Sequence, residues 1–234
     1  MSLDDQDPGG PAALGIAIRL GIVFDLDGTL IDSREDIAAA ANHALGAHGL
    51  PTLSIPEIAS YVGDGARILL QRASKLTDAA RLDVLLATFL EYYAAHPTDH
   101  TRLLPGAHEA LSQLSHLPLA LCTNKPRSIT DAVLRNLRLP APFAIVVAGG
   151  DLAKNKPDPL PLLHIAQHLG LSPAELVMVG DGPQDVLCAK AAGSHSVAVE
   201  GGMQGRELLL AAEPDVVLPS LSELPSALLR WLNP

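Results

Sequence analysis

The sequence predicts an α/β fold: a doubly wound parallel sheet with a helical bundle inserted after its first strand. Six short runs rich in Val, Ile, Leu and Ala each end at a small or polar residue, a pattern that indicates buried strands. Helical patterns separate most of these runs, and such alternation is typical of a parallel sheet covered on both faces. The predicted strands are residues 18–26, 117–124, 143–150, 176–182, 195–202 and 214–220. The helices predicted between or after them are residues 106–116, 127–138, 159–170, 184–192, 204–212 and 221–232.

The first predicted strand ends in two aspartates, Asp25 and Asp27, followed at once by Gly28 and Thr29. Side chains alternate along a strand, so Asp25 and Asp27 begin on one face, and Gly28 lets the backbone turn sharply after them. Burying a carboxylate without a partner costs several kcal/mol. The two aspartates therefore indicate either a cation and hydrogen-bond donors beside them, or an open strand end that faces solvent.

Residues 33–102 are too long for one crossover, and they contain four helical patterns and no convincing strand. Ser33 and Asp36 resemble a capping box that opens the first helix, and Asp64 and Asp78 are plausible starts of later helices. Short helices joined by short loops indicate a small bundle, which we call the helical module. Ligand sites in open parallel sheets lie at the carboxyl ends of the strands, so we expect this module to cover that edge as a lid.

The predicted organisation of the chain has three parts. They are a flexible tail at 1–15, a Rossmann-like catalytic core formed by 16–32 and 103–234, and the helical module at 33–102 as a cap. The tail is acidic and lacks the basic start of a secretory signal. The two cysteines, Cys122 and Cys188, lie far apart, so a reducing compartment such as the cytoplasm is expected rather than a disulfide framework.

The composition limits the classes of partner. A chain of 234 residues with 48% hydrophobic residues can build one large domain, or one domain with an insertion. The formal net charge of −10 argues against a nucleic-acid surface, which would need a basic patch, and against an anionic membrane. We therefore expect a small molecule as the partner, and both a monomer and a homodimer are compatible with the sequence.

Four polar clusters mark the strand ends. They are Asp25 with Asp27, Thr123 with Asn124, Lys156, and Asp181 with Asp185. Several carboxylates at one sheet edge repel one another at low dielectric, and Mg²⁺, which accepts a few oxygen ligands, would remove that repulsion. A cation, a lysine and a hydroxyl around one carboxylate suit phosphoryl transfer. One carboxylate can act as the nucleophile, and a second can protonate the leaving oxygen and then deprotonate water.

The order of these clusters over about residues 18–220 resembles the haloacid dehalogenase superfamily, with DxDGT first and GDxxxD last. The resemblance implies that Asp25 is the nucleophile and Asp27 the general acid and base. It implies a Mg²⁺ ion held by Asp25, the backbone carbonyl of Asp27 and Asp181. Asp185 then corresponds to the acidic residue that supports the metal, through water or through the lysine.

The resemblance also implies how the phosphoryl group is bound. Thr123 and the amide of Asn124 correspond to the phosphoryl-binding pair, and Lys156 corresponds to the lysine that bridges nucleophile and phosphate. The helical insertion resembles the cap of the small-molecule phosphatases in this superfamily. One departure is Gly182, which stands where many members have Ser or Thr.

Within the superfamily the chain is most similar to the phosphoglycolate phosphatases, in runs such as FDLDGTLIDSREDI and MVGDGPQDVLCAKAAG. The resemblance implies 2-phosphoglycolate as the leading substrate. Arg67 could pair with its carboxylate, since a guanidinium fork binds a carboxylate bidentately. The alternative for Arg67 is a solvated charge on the outer face of its helix.

Other functions share parts of this pattern. A sugar-phosphate phosphatase or a phosphomutase of the same superfamily keeps all four clusters. A receiver domain phosphorylated on aspartate also combines acidic residues, a Thr and a Lys on a parallel sheet, but it has no use for an acid at Asp27 and lacks a helical insertion of this length. A degenerate site that only binds ligands is disfavoured because the motifs are complete.

Overall fold

The computed structural model describes residues 19–232, so the predicted tail at 1–15 lies outside the described residues. Short runs of Val, Ile, Leu and Ala form the strands, as expected for buried segments covered on both faces. The strands are β1 (Gly21–Phe24), β2 (Ile31–Asp32), β3 (Arg102–Leu103), β4 (Leu119–Pro126), β5 (Ile145–Gly149), β6 (Leu176–Gly180), β7 (His195–Val199) and β8 (Val216–Leu218). Six of them form one parallel sheet in the order β5-β4-β1-β6-β7-β8.

Helices cover both faces of this sheet. The α-helices of the described residues are α1 (Arg34–Ala47), α2 (Ile55–Ala59), α3 (Ala66–Ser74), α4 (Ala79–Ala95), α5 (Ala107–Gln113), α6 (Arg127–Asn136), α7 (Leu160–Leu169), α8 (Pro183–Ala192), α9 (Arg206–Ala211) and α10 (Leu224–Leu232), and those that cover the sheet lie after α4. Ile22 and Phe24 of β1 pack on the side of α5, α6 and α10, whereas Val23 packs on the side of α7 and α8. Alternate residues of the central strand thus enter two separate cores, which confirms the predicted doubly wound sheet.

The strand order places a ligand crevice at the centre of the sheet. Strands β4 and β5 lie on one side of β1, and strands β6, β7 and β8 lie on its other side. At such a switch point the connections diverge to opposite faces and leave a gap outside the carboxyl ends of the strands. None of the described helices is long and apolar enough to cross a membrane.

Helices α1 to α4 form the helical module between β2 and β3. These two strands pair antiparallel, with Ile31 opposite Leu103 and Asp32 opposite Arg102, so the chain leaves and re-enters the core side by side. Helix α3 packs against β4, and α4 packs against α6. The predicted insertion of helices after the first strand is confirmed, and its role as a cap stays a prediction.

The predicted start of α1 after Ser33 is confirmed, but the capping box predicted there is wrong. Ser33 precedes α1, but its backbone is not extended and its side chain makes no capping hydrogen bond. The Asp36 carboxylate instead accepts hydrogen bonds from the backbone N–H groups of His100 and Thr101 and from the Thr101 hydroxyl, at 2.6–3.1 Å. The predicted capping box therefore does not form, because long-range partners take its carboxylate.

The predicted start at Asp64 is wrong, because α3 begins at Ala66 after Gly65. The third expected start is confirmed: Asp78 precedes α4, and its carboxylate accepts a hydrogen bond of 2.8 Å from the backbone N–H of Arg81. This bond satisfies one of the unpaired donors in the first turn of the helix.

Candidate active site

The sheet topology brings all four predicted clusters to one edge. Strands β1, β4 and β6 are parallel neighbours, so their carboxyl ends meet. Asp25 follows β1, Thr123 lies in β4, and Asp181 follows β6. Lys156 comes from the loop between β5 and α7, and Asp185 lies in the first turn of α8. Residues more than 150 positions apart in the chain thus surround one crevice.

Asp25, Asp181 and Asp185 form a buried carboxylate cluster, in which one oxygen of each lies within 4.8 Å of the others. The Thr29 hydroxyl donates to Asp181 at 3.2 Å, and the backbone N–H of Met203 donates to it at 2.6 Å. The turn after β1 needs glycine for two reasons. Gly28 has φ +85°, and a Cβ at this position would overlap with the Asp181 carboxylate.

The carboxylate cluster is electrostatically strained. Burial, followed by the charges of Asp25 and Asp185, raises the pKa of Asp181 to about 8. Burial also raises the pKa of Asp185 to about 6, although the Lys156 ammonium acts to lower it. Buried carboxylates this close together favour either bound protons or a bound cation. The donors are all oxygens and few in number, and such a set suits Mg²⁺.

Lys156 is the cation of this cluster. Its ammonium lies 2.9 Å from Asp25 and 2.6 Å from Asp185, and it donates to the carbonyl of Cys122 at 2.6 Å. The side chain is only 1% exposed, so Lys156 is not a solvated surface lysine. Burial acts to lower the pKa of Lys156, but Asp185 and Asp25 outweigh it and raise that pKa well above its usual value. The carboxylates of Asp25 and Asp185 are thereby both held against a permanent positive charge.

Asp27 lies apart from the three clustered carboxylates. Its side chain accepts hydrogen bonds from the Ser33 hydroxyl at 2.5 Å and from the Lys125 ammonium at 2.8 and 3.1 Å. The carboxyl group lines the same cavity as Asp25 and Thr123. A group in this position faces the cavity space beside Asp25 rather than the carboxylate cluster, and such a position suits a proton donor and acceptor.

The cavity between the sheet edge and the helical module is small, at about 50 Å³. At roughly 10–15 Å³ for each water, this space holds about three to five water molecules. The core side is polar, with Asp25, Asp27, Thr123, Asn124 and Lys125, whereas the side of the module is mostly apolar. The apolar lining comes from Ile37, Val62, Ala66, Leu69 and Phe89. A small molecule fits this cavity if its strongly anionic end lies at the polar core side and its short remainder lies at the side of the module.

The Asn124 side chain connects the helical module to the sheet edge. Its amide group donates to the carbonyls of Gly63 and Lys156, both at 2.8 Å, and accepts from the Lys156 backbone N–H at 3.1 Å. Gln204 reaches the neighbouring Val62 carbonyl in the same loop. The side chain of Asn124 therefore positions the Gly63 loop and the Lys156 loop, while its backbone amide remains the group predicted to bind phosphate.

Lys125 and Tyr93 were not predicted as site residues. Lys125 is 2% exposed, and its ammonium donates to the Tyr93 hydroxyl at 2.6 Å. Burial raises the pKa of Tyr93 to about 12, so its hydroxyl keeps its proton. Burial acts to lower the pKa of Lys125, but Asp27 and Tyr93 outweigh it and raise that pKa. Lys125 could have been predicted as a site residue, because it follows Thr123 by two residues and strand alternation places both side chains on one face.

Arg67 lies outside the site, contrary to the expectation that it faces the substrate. Its guanidinium pairs with Asp83 of α4, and the two side chains are 43% and 62% exposed. The physical reason is helical periodicity. Ala66 and Leu69 of α3 line the cavity, and Leu70 and Ala73 are buried, which leaves Arg67 on the outer surface of the helix. The alternative interpretation, a solvated surface charge, is the one that the structure supports.

Comparison with known proteins shows the family of this chain. Residues 22–199 match the model of the family described as haloacid dehalogenase-like hydrolase. A phosphoglycolate phosphatase from Chromobacterium violaceum is 40% identical over 210 residues, which cover 87% of this chain and 93% of that protein. A phosphoglycolate phosphatase from Neisseria meningitidis is 38% identical over 213 residues, which cover 87% of this chain and 91% of that protein.

Solved structures have the same fold. The crystal structure of a predicted phosphoglycolate phosphatase from Haemophilus somnus superposes with a TM-score of 0.84 at 28% sequence identity. The match covers 91% of this chain and 99% of that one, so the similarity includes both the sheet and the helical module.

Proposed function

We propose that this chain, which belongs to the haloacid dehalogenase-like hydrolase family and is a phosphatase, hydrolyses 2-phosphoglycolate through an aspartyl-phosphate with the help of Mg²⁺. The observation that carries the proposal is the position of Asp25. Its carboxylate lines the cavity, lies 2.9 Å from the Lys156 ammonium and belongs to a cluster of three buried carboxylates.

The residues present fit a Mg²⁺ ion. Asp25 and Asp181 would hold it through their side chains and Asp27 through its backbone carbonyl, with Asp185 acting through water or through Lys156. The strained carboxylate cluster is the support for this assignment, because its burial and mutual repulsion favour a cation. When bound, the ion neutralises negative charge on the carboxylates and on the transferring phosphoryl group.

The protein groups account for both steps of hydrolysis. An Asp25 oxygen attacks phosphorus, and the bond from phosphorus to the ester oxygen breaks while Asp27 donates a proton to that oxygen. Asp27 then takes a proton from water as the water oxygen attacks the phosphorus, which releases phosphate and restores Asp25. Thr123, the Asn124 amide and Lys156 would hold the phosphoryl oxygens during both steps.

The cavity and the relatives support phosphoglycolate as the substrate. With the phosphoryl group at Asp25, the space left under the helical module suits a remainder of few atoms. We propose that the module, residues 33–102, acts as a cap that excludes water and moves about the paired strands β2 and β3. We place the enzyme in the cytoplasm, in agreement with two free and buried cysteines, Cys122 and Cys188.

A substrate panel tests the proposed function. With Mg²⁺, kcat/KM for 2-phosphoglycolate should exceed that for a hexose phosphate by at least about tenfold, or about 1.4 kcal/mol. Without Mg²⁺ after chelation, both activities should disappear. A higher kcat/KM for the hexose phosphate would show that the chain is a sugar-phosphate phosphatase. Interconversion of hexose phosphate isomers without release of phosphate would show that it is a phosphomutase.

Binding of Mg²⁺ should stabilise the fold, and the gain should increase with pH. The pKa of Asp181 is raised from 3.8 to about 8, so its protonated form stabilises the metal-free fold fully below pH 3.8, and this contribution is lost as the pH rises towards 8. A cation binds the ionised carboxylates and competes with protons. The rise in Tm on adding Mg²⁺ should therefore be larger near pH 8.5 than near pH 6, which thermal unfolding would measure.

The matched control is Asp181→Asn, which should lose most of the Mg²⁺-dependent rise in Tm because it removes a proposed ligand while nearly keeping its shape. A rise in Tm of equal size at both pH values, or one that survives in Asp181→Asn, would count against this metal site.

A further inference from the structure

Lys125 has no role in the proposed reaction, yet it is the cation of the cavity. Among the described residues that line the cavity, Lys125 has the one cationic side chain. It is 2% exposed and reaches the cavity from β4, two residues after Thr123. A buried ammonium is expensive to maintain unless it has anionic partners, and here one partner is Asp27, at 2.8 Å.

The second partner of Lys125 comes from the helical module. The Tyr93 hydroxyl accepts a hydrogen bond of 2.6 Å from the ammonium, and the ammonium also lies 4.5 Å from the centre of the Tyr93 ring. Because the Tyr93 oxygen accepts from Lys125, its own O–H hydrogen remains available to a further acceptor. Lys125 and Tyr93 thus present two donors at the boundary between core and module.

The phosphoryl group and the carboxylate of 2-phosphoglycolate need different partners in the site. The phosphoryl group belongs at Asp25 and Lys156, so the carboxylate extends towards the helical module. There the lining is mostly apolar, with Ile37, Leu69 and Phe89. A carboxylate buried on that side needs a charged partner with hydrogen bonds, since an unpaired buried charge costs far more than binding returns.

We propose that Lys125 and Tyr93 bind the carboxylate of the substrate and so select phosphorylated short-chain carboxylic acids over uncharged phosphate esters. This inference depends on the proposed function and assigns the substrate specificity of that same site. The incoming carboxylate takes hydrogen bonds of Lys125 that Asp27 holds in its absence. Asp27 keeps its hydrogen bond to Ser33, at 2.5 Å, and faces the ester oxygen.

The test compares two substrates that differ by the carboxylate, 2-phosphoglycolate and ethyl phosphate. The measured quantity is the kcat/KM for 2-phosphoglycolate divided by the kcat/KM for ethyl phosphate. In Lys125→Met this ratio should fall by about 10- to 100-fold, or about 1.4–2.8 kcal/mol, mainly through KM for phosphoglycolate. If the loss of Lys125 also disturbs Asp27, kcat/KM changes for both substrates together, and this change cancels in the ratio.

Two further variants keep the test decisive. Tyr93→Phe retains the ring and removes one donor, and it should lower the ratio by about 5- to 20-fold, or about 1.0–1.8 kcal/mol. Arg67→Met also removes one positive charge, but outside the cavity, and should leave the ratio unchanged. It controls for the net charge of the protein.

The outcomes separate this inference from the proposed function. A wild-type enzyme inactive on both esters would overturn the proposed function. A wild-type ratio near one, or a ratio unchanged in both Lys125→Met and Tyr93→Phe, would overturn the carboxylate site and leave the phosphatase reaction intact. A fall in the ratio in Arg67→Met equal to that in Lys125→Met would also overturn it.

Discussion

The variant Asp25→Asn is expected to lower kcat by at least about 10³-fold, which corresponds to about 4 kcal/mol of additional barrier. The amide is nearly the same size as the carboxylate but is not a nucleophile at phosphorus. It also removes one oxygen ligand from the proposed metal site and one partner from Lys156, which lies 2.9 Å away. Steady-state turnover of 2-phosphoglycolate with saturating Mg²⁺ measures the effect.

The control for Asp25→Asn is Asp83→Asn, the same substitution at a side chain that is 62% exposed and pairs with Arg67. This control should retain wild-type turnover, because Asp83 lies on the outer surface of the helical module. Near wild-type activity in Asp25→Asn would show that another residue is the nucleophile.

The variant Lys156→Met should lose both activity and stability. Lys156 is the buried counter-ion of Asp25 and Asp185, and removing one member of such a set costs about 3–5 kcal/mol of folding free energy because the remaining charges lose their partner. Turnover should fall by at least about 10²-fold, since a preorganised charge beside the phosphoryl group is lost. Denaturant unfolding of the metal-free protein and steady-state kinetics measure the two effects.

A double variant separates the two roles of Lys156. Lys156→Met combined with Asp185→Asn removes one of the two charges that Lys156→Met leaves unpaired, so it should recover part of the lost stability without recovering turnover. If activity returned together with stability, Lys156 would act on the fold alone and have no part in phosphate binding.

The positions of the main site residues follow from the sequence by simple rules. Parallel strands end at one sheet edge, so polar residues that follow apolar runs must meet there. This rule correctly placed Asp25, Thr123 and Asp181 around one crevice. Gly28 could also be anticipated, because a turn immediately after a strand needs a residue that tolerates positive φ.

Local pattern predicted the partner of the Asp78 carboxylate but not the partners of three other side chains. Asp36 has the spacing of a capping box, but its carboxylate binds residues His100 and Thr101, more than 60 positions away. Arg67 lies next to the cavity-lining Ala66, yet the packing of α3 directs it outwards to Asp83. Lys125 obtains its environment from Tyr93, 32 residues away on α4. These outcomes depend on tertiary packing, which spacing along one element does not determine.

The most direct test of the central claim, that Asp25 accepts the phosphoryl group, uses Asp27→Asn with radiolabelled p-nitrophenyl phosphate. Nitrophenolate leaves without a proton, so the first step proceeds, while the second step lacks its base. The mechanism predicts a burst of about one nitrophenolate per enzyme. It also predicts phosphoryl label on Asp25 in peptides from the acid-quenched protein. Absence of a labelled protein, or label on any other residue, would contradict it.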